Sequence, residues 1–414
     1  MPIRSVLAGA VRVPMSVPFV HAGAARRHCD SVLVRVDVDG TVGWGEAAPR
    51  RYVTGETAEG VLSDLAALDI ARLSSRIDSS SFDSALASMA ALDLPALLGR
   101  GRPHPAAASA VECALLDAVC RGSGRSFGDA LDRLGLAYRP LPADRPIRVS
   151  TVLDLSRGVE QFLAATAPGL LATPRLVKLK ASADPDRTVQ EVRRLAEALP
   201  GPVRLAVDAN GAWPPAVALE TAARLADLPV AWLEEPTTPR SWDLLRAIRR
   251  RSAIGIMLDE SFTGAADVPA AASGAATHLN LRVSKCGGLL GAARLAALAR
   301  SHGLRYQVGV HVGEVGPLWA AARWLAAALG DAEAVEGGQQ DRWFPVALTV
   351  PAYTADRVHG TVAQLRGPGS GVVPSDELLR HFRAGFTWER GADHDRRRTA
   401  RTPWTAAHAA PVAD

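Results

Sequence analysis

Three of the 47 basic residues in this 414-residue chain are lysine, at Lys178, Lys180 and Lys285, and all the rest are arginine. A chain that meets its ordinary need for positive charge with arginine keeps lysine for what arginine cannot do, which is to lose a proton and act as a base. Carboxylates are spaced between these lysines. Lys180 to Asp208 is 28 residues, Asp208 to Glu234 is 26, Glu234 to Asp259 is 25 and Asp259 to Lys285 is 26. Three carboxylates brought to one place repel one another unless a cation joins them. An all-oxygen set with room for water and substrate oxygens suits Mg²⁺, with Mn²⁺ as the alternative. Lys178 and Lys180 are two apart on a strand and so share a face. Crowding by a second cation and partial loss of water both lower a lysine, so a neutral amine is expected near pH 7. Taking the proton beside a substrate carboxylate builds a dianionic enolate, which a divalent cation and a nearby ammonium would stabilise. A lysine on each side would let one remove the proton and the other return it or hold the intermediate. The partner implied is a small-molecule carboxylate.

The elements that must position these groups follow a regular pattern. From about Ile147, short apolar strands alternate with amphipathic helices. The strands are expected at Ile147–Leu153, Leu176–Lys180, Val203–Asp208, Val230–Glu234, Ile254–Asp259, His278–Val283, Arg305–His311 and Ala332–Glu336. Eight such units predict a parallel sheet closed into a barrel, and roughly 25 to 30 residues per unit matches the spacing of the charged groups. Each unit then delivers one ionisable group to the C-terminal end of a strand, where barrel active sites form. Lys285 ends the sixth strand, across the barrel from Lys178 and Lys180 on the second. Ahead of the barrel, Val32–Val38 and Val42–Glu46 alternate as strands around Asp39-Gly40, a strong hairpin signal. Residues 57–134 turn helical and Ala/Leu-rich. The expected division is an α+β domain over 1–140, completed by about 345–388, a barrel over 141–344 and a disordered tail over 389–414 that contains Arg396-Arg397-Arg398.

A formal net charge of only +4, with arginines spread along the chain, argues against nucleic acid as a partner. Cys29, Cys113, Cys120 and Cys286 have neither metal-type nor disulfide spacing and read as thiols in a reducing cytoplasm. The N-terminus carries an Ala-Gly-Ala stretch at 22–24, but Arg4, Arg12, Pro14 and Pro18 break any signal-like apolar core. No apolar run is long enough to span a bilayer, so no membrane association is expected.

The stretches Val177-Lys-Leu-Lys180, Val207-Asp-Ala-Asn210, Leu233-Glu-Glu-Pro236, Leu258-Asp-Glu-Ser261 and Lys285-Cys-Gly-Gly288 together resemble the enolase superfamily, and more narrowly its muconate-lactonizing subgroup. Gly43-Trp-Gly-Glu-Ala47 and Tyr52-Val-Thr-Gly-Glu-Thr57 resemble that family's capping domain. The resemblance covers roughly residues 3–385. It implies an α/β fold, a (β/α)₇β modified TIM barrel with an α+β capping domain. It also implies Mg²⁺ or Mn²⁺ held by Asp208, Glu234 and Asp259, with Lys180 and Lys285 as the acid/base pair. Lys178 would hold the substrate carboxylate and depress Lys180, Asn210 would stand behind the ligands, and Glu314 would lie near the substrate. A homo-oligomer is expected.

The chain also departs from the family's patterns. Lys285 stands where the mandelate racemase subgroup has the aspartate of a His–Asp dyad, so His311 lacks that partner. His311 either lines the pocket or is a hydrogen-bonded strand-end residue. Val335-Glu-Gly-Gly-Gln-Gln340 lacks the Asp-x-Asp pair with which dipeptide epimerases hold an ammonium, and Glu336 is its only counterpart. Substrate contacts are also expected from loops near 18–27 and 48–57, where Arg50, Arg51 and Tyr52 either meet a second anionic group or face solvent. Cys286 is expected to pack, and Trp213 to pack or line the mouth. The first expectation is Mg-dependent abstraction of an α-proton, with racemisation or epimerisation of an amino-acid derivative. A muconate-type cycloisomerase and an o-succinylbenzoate-synthase-like dehydratase use the same residues. A non-catalytic barrel that binds a small acid is the reading from another class.

Overall fold

Asp39 and Gly40 both adopt left-handed backbone, at φ 54° and 89°, and turn Val38 back onto Thr41. Two consecutive positive φ values match the right-handed twist of the strands they join. The hairpin Ser31–Val38/Thr41–Ala47 is half of a four-stranded antiparallel sheet. Ile3–Val11 pairs with Ser31–Val38, and Phe382–Glu389, from the far end of the chain, pairs with Ile3–Val11. The structure, a computed structural model, describes residues 2–21, 24–99, 103–155, 158–165, 175–199 and 203–391. Glu389, expected to begin a tail, still belongs to the last strand; Arg396–Arg398 lie outside the described residues.

The helix Pro105–Gly122 packs on this sheet because Gly43 and Gly45 let it approach. A Cβ on Gly43 would lie 2.1 Å from the Ala114 carbonyl oxygen, and one on Gly45 2.0 Å from that of Ala110. The alanine-rich face of the helix completes the fit, with Ala106, Ala107, Ala110, Ala114 and Ala118 all buried.

The second sheet is parallel throughout. Its seven strands are Thr151–Leu153, Arg175–Lys180, Val203–Asp208, Val230–Glu234, Gly255–Leu258, His278–Arg282 and Arg305–Gly309, neighbours in that order. Two expected strands take a different form. Ile147–Leu153 is split, and Ile147–Arg148 pairs antiparallel with Thr361–Val362 instead. Ala332–Glu336 makes one ladder bridge, Val308 to Val335, before Gly337 turns away at φ 102°. The segment nonetheless closes the barrel. Glu336 N donates to the Val308 oxygen (2.8 Å) and Val308 N to that of Ala334 (3.0 Å) on one side, while Ser150 N donates to Val335 (2.7 Å) on the other. Leu176, Ala206, Trp232, Met257 and Ala334 fill the barrel interior as one apolar cluster. The first four of these lie two residues before Lys178, Asp208, Glu234 and Asp259, so strand alternation stacks a charged layer on an apolar floor.

Two buried carboxylates from the N-terminal part hold barrel helices by their N-terminal ends. Glu46 accepts from the backbone N–H of Val315 (2.8 Å), Gly316 (3.2 Å) and Leu318 (3.2 Å), ahead of and inside the helix Pro317–Leu329. Glu112 accepts from Leu290 N (3.1 Å) in the helix Leu289–Ser301. Each fills donors that a helix leaves unpaired at its positive end. No helix among the described residues is long and apolar enough to cross a membrane.

Candidate active site

Strand register brings the charged groups to one level. Lys180 is the cross-strand partner of Asp208, and Asp208 of Glu234. Asp259 follows the fifth strand directly, and Lys285 lies three residues beyond the sixth. All are buried.

Each carboxylate is turned to a cation. Lys180 donates to Asp208, and to Asn210 Oδ1 at 3.1 Å. Lys178 donates to Glu234, and to Glu336 Oε1 at 2.6 Å. Lys285 donates to the carbonyl oxygen and to Oδ1 of Asp259, both at 2.7 Å, and Arg282 pairs with the other oxygen of Asp259. Asn280 Nδ2 donates to Glu234 Oε1 at 2.8 Å, and Asn210 Nδ2 to Glu260 Oε1 at 3.1 Å. Glu235 stands behind the site. Its carboxylate accepts from Asp259 N (2.9 Å), Ser261 N (3.0 Å) and the Ser261 hydroxyl, which fixes the turn that presents Asp259. Both Asn210 (φ 46°) and Glu235 (φ 37°) hold left-handed backbone, a strain that persists because these bonds over-determine it.

The electrostatics depart from expectation at the lysines. Burial lowers Lys180 and Lys178 adds to that, but Asp208 and Glu234 together outweigh both and hold Lys180 above its usual value. Burial likewise lowers Lys178, and Glu234 and Glu336 raise it further than burial lowers it. Both ammoniums therefore stay charged. Burial works to raise Asp259, yet Arg282 and Lys285 bring it to about 2. Glu234 goes the other way, pushed up to about 7 by burial and by Asp208.

Among the described residues, no group of three His, Cys, Asp or Glu side chains is gathered as a metal-binding set. The reason is local, since the oxygens of Asp208, Glu234 and Asp259 are spent on Lys180, Lys178, Arg282 and Lys285. The donor chemistry nevertheless fits a hard divalent cation. The site holds five carboxyl groups, Asp208, Glu234, Asp259, Glu260 and Glu336, against four cations, Lys178, Lys180, Arg282 and Lys285, one formal negative charge in excess, and burial with the neighbouring carboxylates holds Glu234 and Glu260 above their usual values. Oxygen donors with surplus negative charge are what Mg²⁺ requires.

A cavity of about 40 Å³ opens at this end of the barrel, lined by Phe19, Arg26, Tyr52, Lys180, Asn210, Glu260, Arg282, Glu336 and Trp343 among others. Of the residues expected at the substrate, Lys180 and Tyr52 line it, and Asn210, expected behind the ligands, lines it as well. Lys178 and Lys285 have no exposed surface and sit behind it. His311 and Glu314 are buried outside its lining, where Glu314 accepts from His311 N at 2.7 Å. Burial drives His311 well down and Glu314 well up, so both are neutral. Arg51 is exposed at the start of the turn Arg51–Thr54 and is not brought to the cavity. Arg50 is buried and committed to backbone oxygens of Val312 (2.6 Å) and Pro49 (2.7 Å). Trp213 packs, donating to the Ser182 oxygen at 3.0 Å, and Cys286 is buried.

The capping contribution comes from both stretches expected to supply it: Tyr52 from 48–57, and Phe19 and Arg26 from 18–27, which folds as the hairpin Pro14–His21/Ala24–His28. Arg282, Glu260 and Trp343 were not singled out from sequence. One signal for Arg282 was present, because His278-Leu-Asn-Leu-Arg282 alternates polar and apolar and so aims three polar side chains at one face.

Residues 163–378 match the family model described as enolase C-terminal domain-like, and residues 3–131 that of the mandelate racemase / muconate lactonizing enzyme N-terminal domain. The chain is 30% identical over 311 residues to the L-Lys-D/L-Arg epimerase of Methylococcus capsulatus, covering 73% of this chain and 81% of that one. Among solved structures it resembles the N-succinyl Arg/Lys racemase from Bacillus cereus, with TM-score 0.78 at 21% identity, over 94% of this chain and 99% of that one. It equally resembles a muconate lactonizing enzyme from Pseudomonas fluorescens complexed with muconolactone, with TM-score 0.78 at 24% identity, over 92% and 99%.

Proposed function

The chain belongs to the mandelate racemase / muconate lactonizing enzyme family of the enolase superfamily and is an isomerase, and from that premise we propose that it racemises or epimerises an N-acylated amino acid by Mg²⁺-dependent α-proton transfer. The observation that carries the reading is that the only lysines in the chain are buried together at the barrel mouth with Asp208, Glu234 and Asp259. Relatives acting on amino-acid derivatives, an epimerase of L-Lys-D/L-Arg and a racemase of N-succinyl Arg/Lys, support that substrate class.

Asp208, Glu234 and Asp259 would hold the metal, which when bound supplies positive charge against the negative charge that develops on the substrate carboxylate. Lys180, the lysine that lines the cavity, moves the α-proton. With Asp208 and Glu234 both neutralised, burial and Lys178 remain to act on Lys180, and both lower it toward a usable base. Lys285 stands on the opposite side of the barrel to deliver or receive a proton at the other face of the planar intermediate. Lys178 is a fixed charge that keeps Glu234 and Glu336 in place.

Two features favour an N-acyl group over a free ammonium. Glu336, the one counterpart of an ammonium-binding acid pair, is spent on Lys178 and on Val310 N (3.1 Å). Arg26 offers positive charge from the capping hairpin, where its own partner Asp30 is 3.6 Å away. An acyl group ending in a carboxylate matches it. A cavity of about 40 Å³ is small for such a substrate, and the hairpin that carries Phe19 and Arg26 forms part of its wall.

The test is incubation in D₂O with Mg²⁺ and N-succinyl amino acids, dipeptides and cis,cis-muconate. Deuterium uptake at the α-carbon with loss of optical activity is expected for the first set. Lactone formation from muconate alone would assign the cycloisomerase, and metal binding with no exchange in any acid would leave a binding protein.

A further inference from the structure

A second cavity, of about 210 Å³, lies behind the first and shares a wall with it. Its sides include Trp319 from the helix Pro317–Leu329, Phe344, Leu348 and Tyr353, with Ala352 exposed at the rim. The wall in common is the short helix Gln340–Trp343 with the residues on either side of it. Gln339 and Trp343 line the active-site cavity, while Gln340 and Phe344 line the second.

Gln340 is the unusual residue there. It is buried, and neither its amide nitrogen nor its amide oxygen has a hydrogen-bond partner. Leaving both ends of a buried amide unpaired is unfavourable, and the function proposed above makes no use of it. The other polar side chains of the lining have partners. Asp341 pairs with Arg357 at 3.0 Å, and the Tyr353 hydroxyl donates to the Gly337 carbonyl oxygen. The walls are aromatic, with Trp319 and Tyr353 meeting edge to face at 4.5 Å. A cavity of about 150 Å³ with apolar walls takes up benzene, so this one has room for a ring bearing a small polar group.

We propose that this cavity is a second small-molecule site, which takes a flat, neutral, largely apolar molecule that ends in a carboxamide. A carboxamide offers one donor and one acceptor side by side, the complement of Gln340, and the ion-paired Asp341 leaves no net charge for an ionic ligand to meet. The occupant would bear on the active site by two routes. One is Trp343, whose ring meets Phe19 of the capping hairpin at 5.8 Å and whose carbonyl accepts from the Ser16 hydroxyl at 3.2 Å. The other is Tyr353, through its bond to Gly337 in the active-site lining. The proposal rests on the cavity alone and holds whatever the substrate proves to be.

Benzamide is the probe, added to the full-length protein and followed by ligand-detected NMR and by hydrogen exchange. Saturable binding is expected, with slower exchange confined to the stretch around residues 339–353. Gln340→Leu should weaken it about tenfold, as the loss of two amide hydrogen bonds implies. Ala352→Trp, which closes the rim without touching the buried wall, should abolish it while thermal unfolding is unchanged. No saturable binding to the unsubstituted protein overturns the proposal. So does protection that falls on the strand ends around Lys180 and Asp259, which would place the probe in the active site. Undiminished binding in Ala352→Trp also overturns it, and keeps the test decisive should Gln340→Leu fail to fold.

Discussion

The Lys180 ammonium donates to the Asp208 carboxylate on the very rung where their two strands pair. The ion pair is thereby formed before any substrate arrives, and Asp208 is the carboxylate that does most to keep the proton on Lys180. Lys180→Arg keeps the charge and the ion pair but removes the group that can lose a proton. It should lower α-proton exchange by at least about 10³-fold, with circular dichroism unchanged. Lys180→Ala and Lys285→Ala should each abolish turnover. Full activity in either variant would remove that lysine from the acid/base role.

Divalent metal should be required. Treatment with a chelator is expected to end turnover and Mg²⁺ to restore it. Independently of activity, saturating Mg²⁺ should raise the unfolding midpoint, because a ligand that binds only the folded state stabilises it by about 3 kcal/mol at 100 times its Kd. Asp259→Asn should erase that rise. If the rise survives intact in this variant, the ion binds elsewhere.

Arg26→Gln should separate binding from chemistry. For N-succinyl substrates KM is expected to rise about 10- to 100-fold, the worth of a charge-assisted contact, with kcat little changed. N-acetyl substrates should be indifferent. Equal loss for both would show that Arg26 merely supports the hairpin.

His278 predicts a stability change in acid. Its ring lies against Trp232 at 5.0 Å inside the barrel. Burial and then Arg305 hold it down at about 4, against an ordinary value near 6.5. The folded state therefore binds fewer protons than the unfolded one between these two values. The stability His278 contributes is complete above pH 6.5 and is lost as pH falls toward 4, by on the order of 2 kcal/mol. Glu46 and Glu112, pushed up to about 7 by burial, act with the opposite sign over an overlapping range. The measurement is thus the difference between His278→Gln and the parent in urea unfolding at pH 5 and pH 7.5. A difference that does not change with pH would refute the assignment.

Gly45→Ala should destabilise strongly, by about 2 kcal/mol or more, because its Cβ would meet the Ala110 carbonyl at 2.0 Å and force apart the sheet and the helix Pro105–Gly122. Gly264→Ala, with nothing within 4 Å, should be close to neutral. Urea midpoints for the pair decide whether the close approach is real.

The groups that lie in strict register with the strand repeat could be read from the chain, since spacing alone puts Lys180, Asp208, Glu234, Asp259 and Lys285 at successive strand ends. What spacing cannot express is which of them water reaches. Lys178 and Lys285 share that register but have no exposed surface, because Glu336, Asp259 and Arg282 close over them. The capping contacts were harder still. Arg50, Arg51 and Arg26 look alike as letters. Only the path of the backbone decides that Arg50 holds the Val312 carbonyl, Arg51 faces outward and Arg26 reaches the cavity. The eighth strand, Ala332–Glu336, was legible from the regular repeat of the units, but not that Gly337 would end it after one bridge.

The pairing of Ile3–Val11 with Phe382–Glu389 sets a timetable for synthesis. The first strand leaves the ribosome with one neighbour close behind it and the other about 370 residues away, which at 5–20 residues per second is a wait of roughly 20 to 70 seconds. Through that interval one side of Ile3–Val11 presents unpaired backbone, a template for any other extended chain in reach. The barrel can finish first. A nascent chain stalled short of residue 382 would therefore carry a nearly complete catalytic barrel and an open sheet edge, and it is such truncated products that are expected to associate with one another or with chaperones.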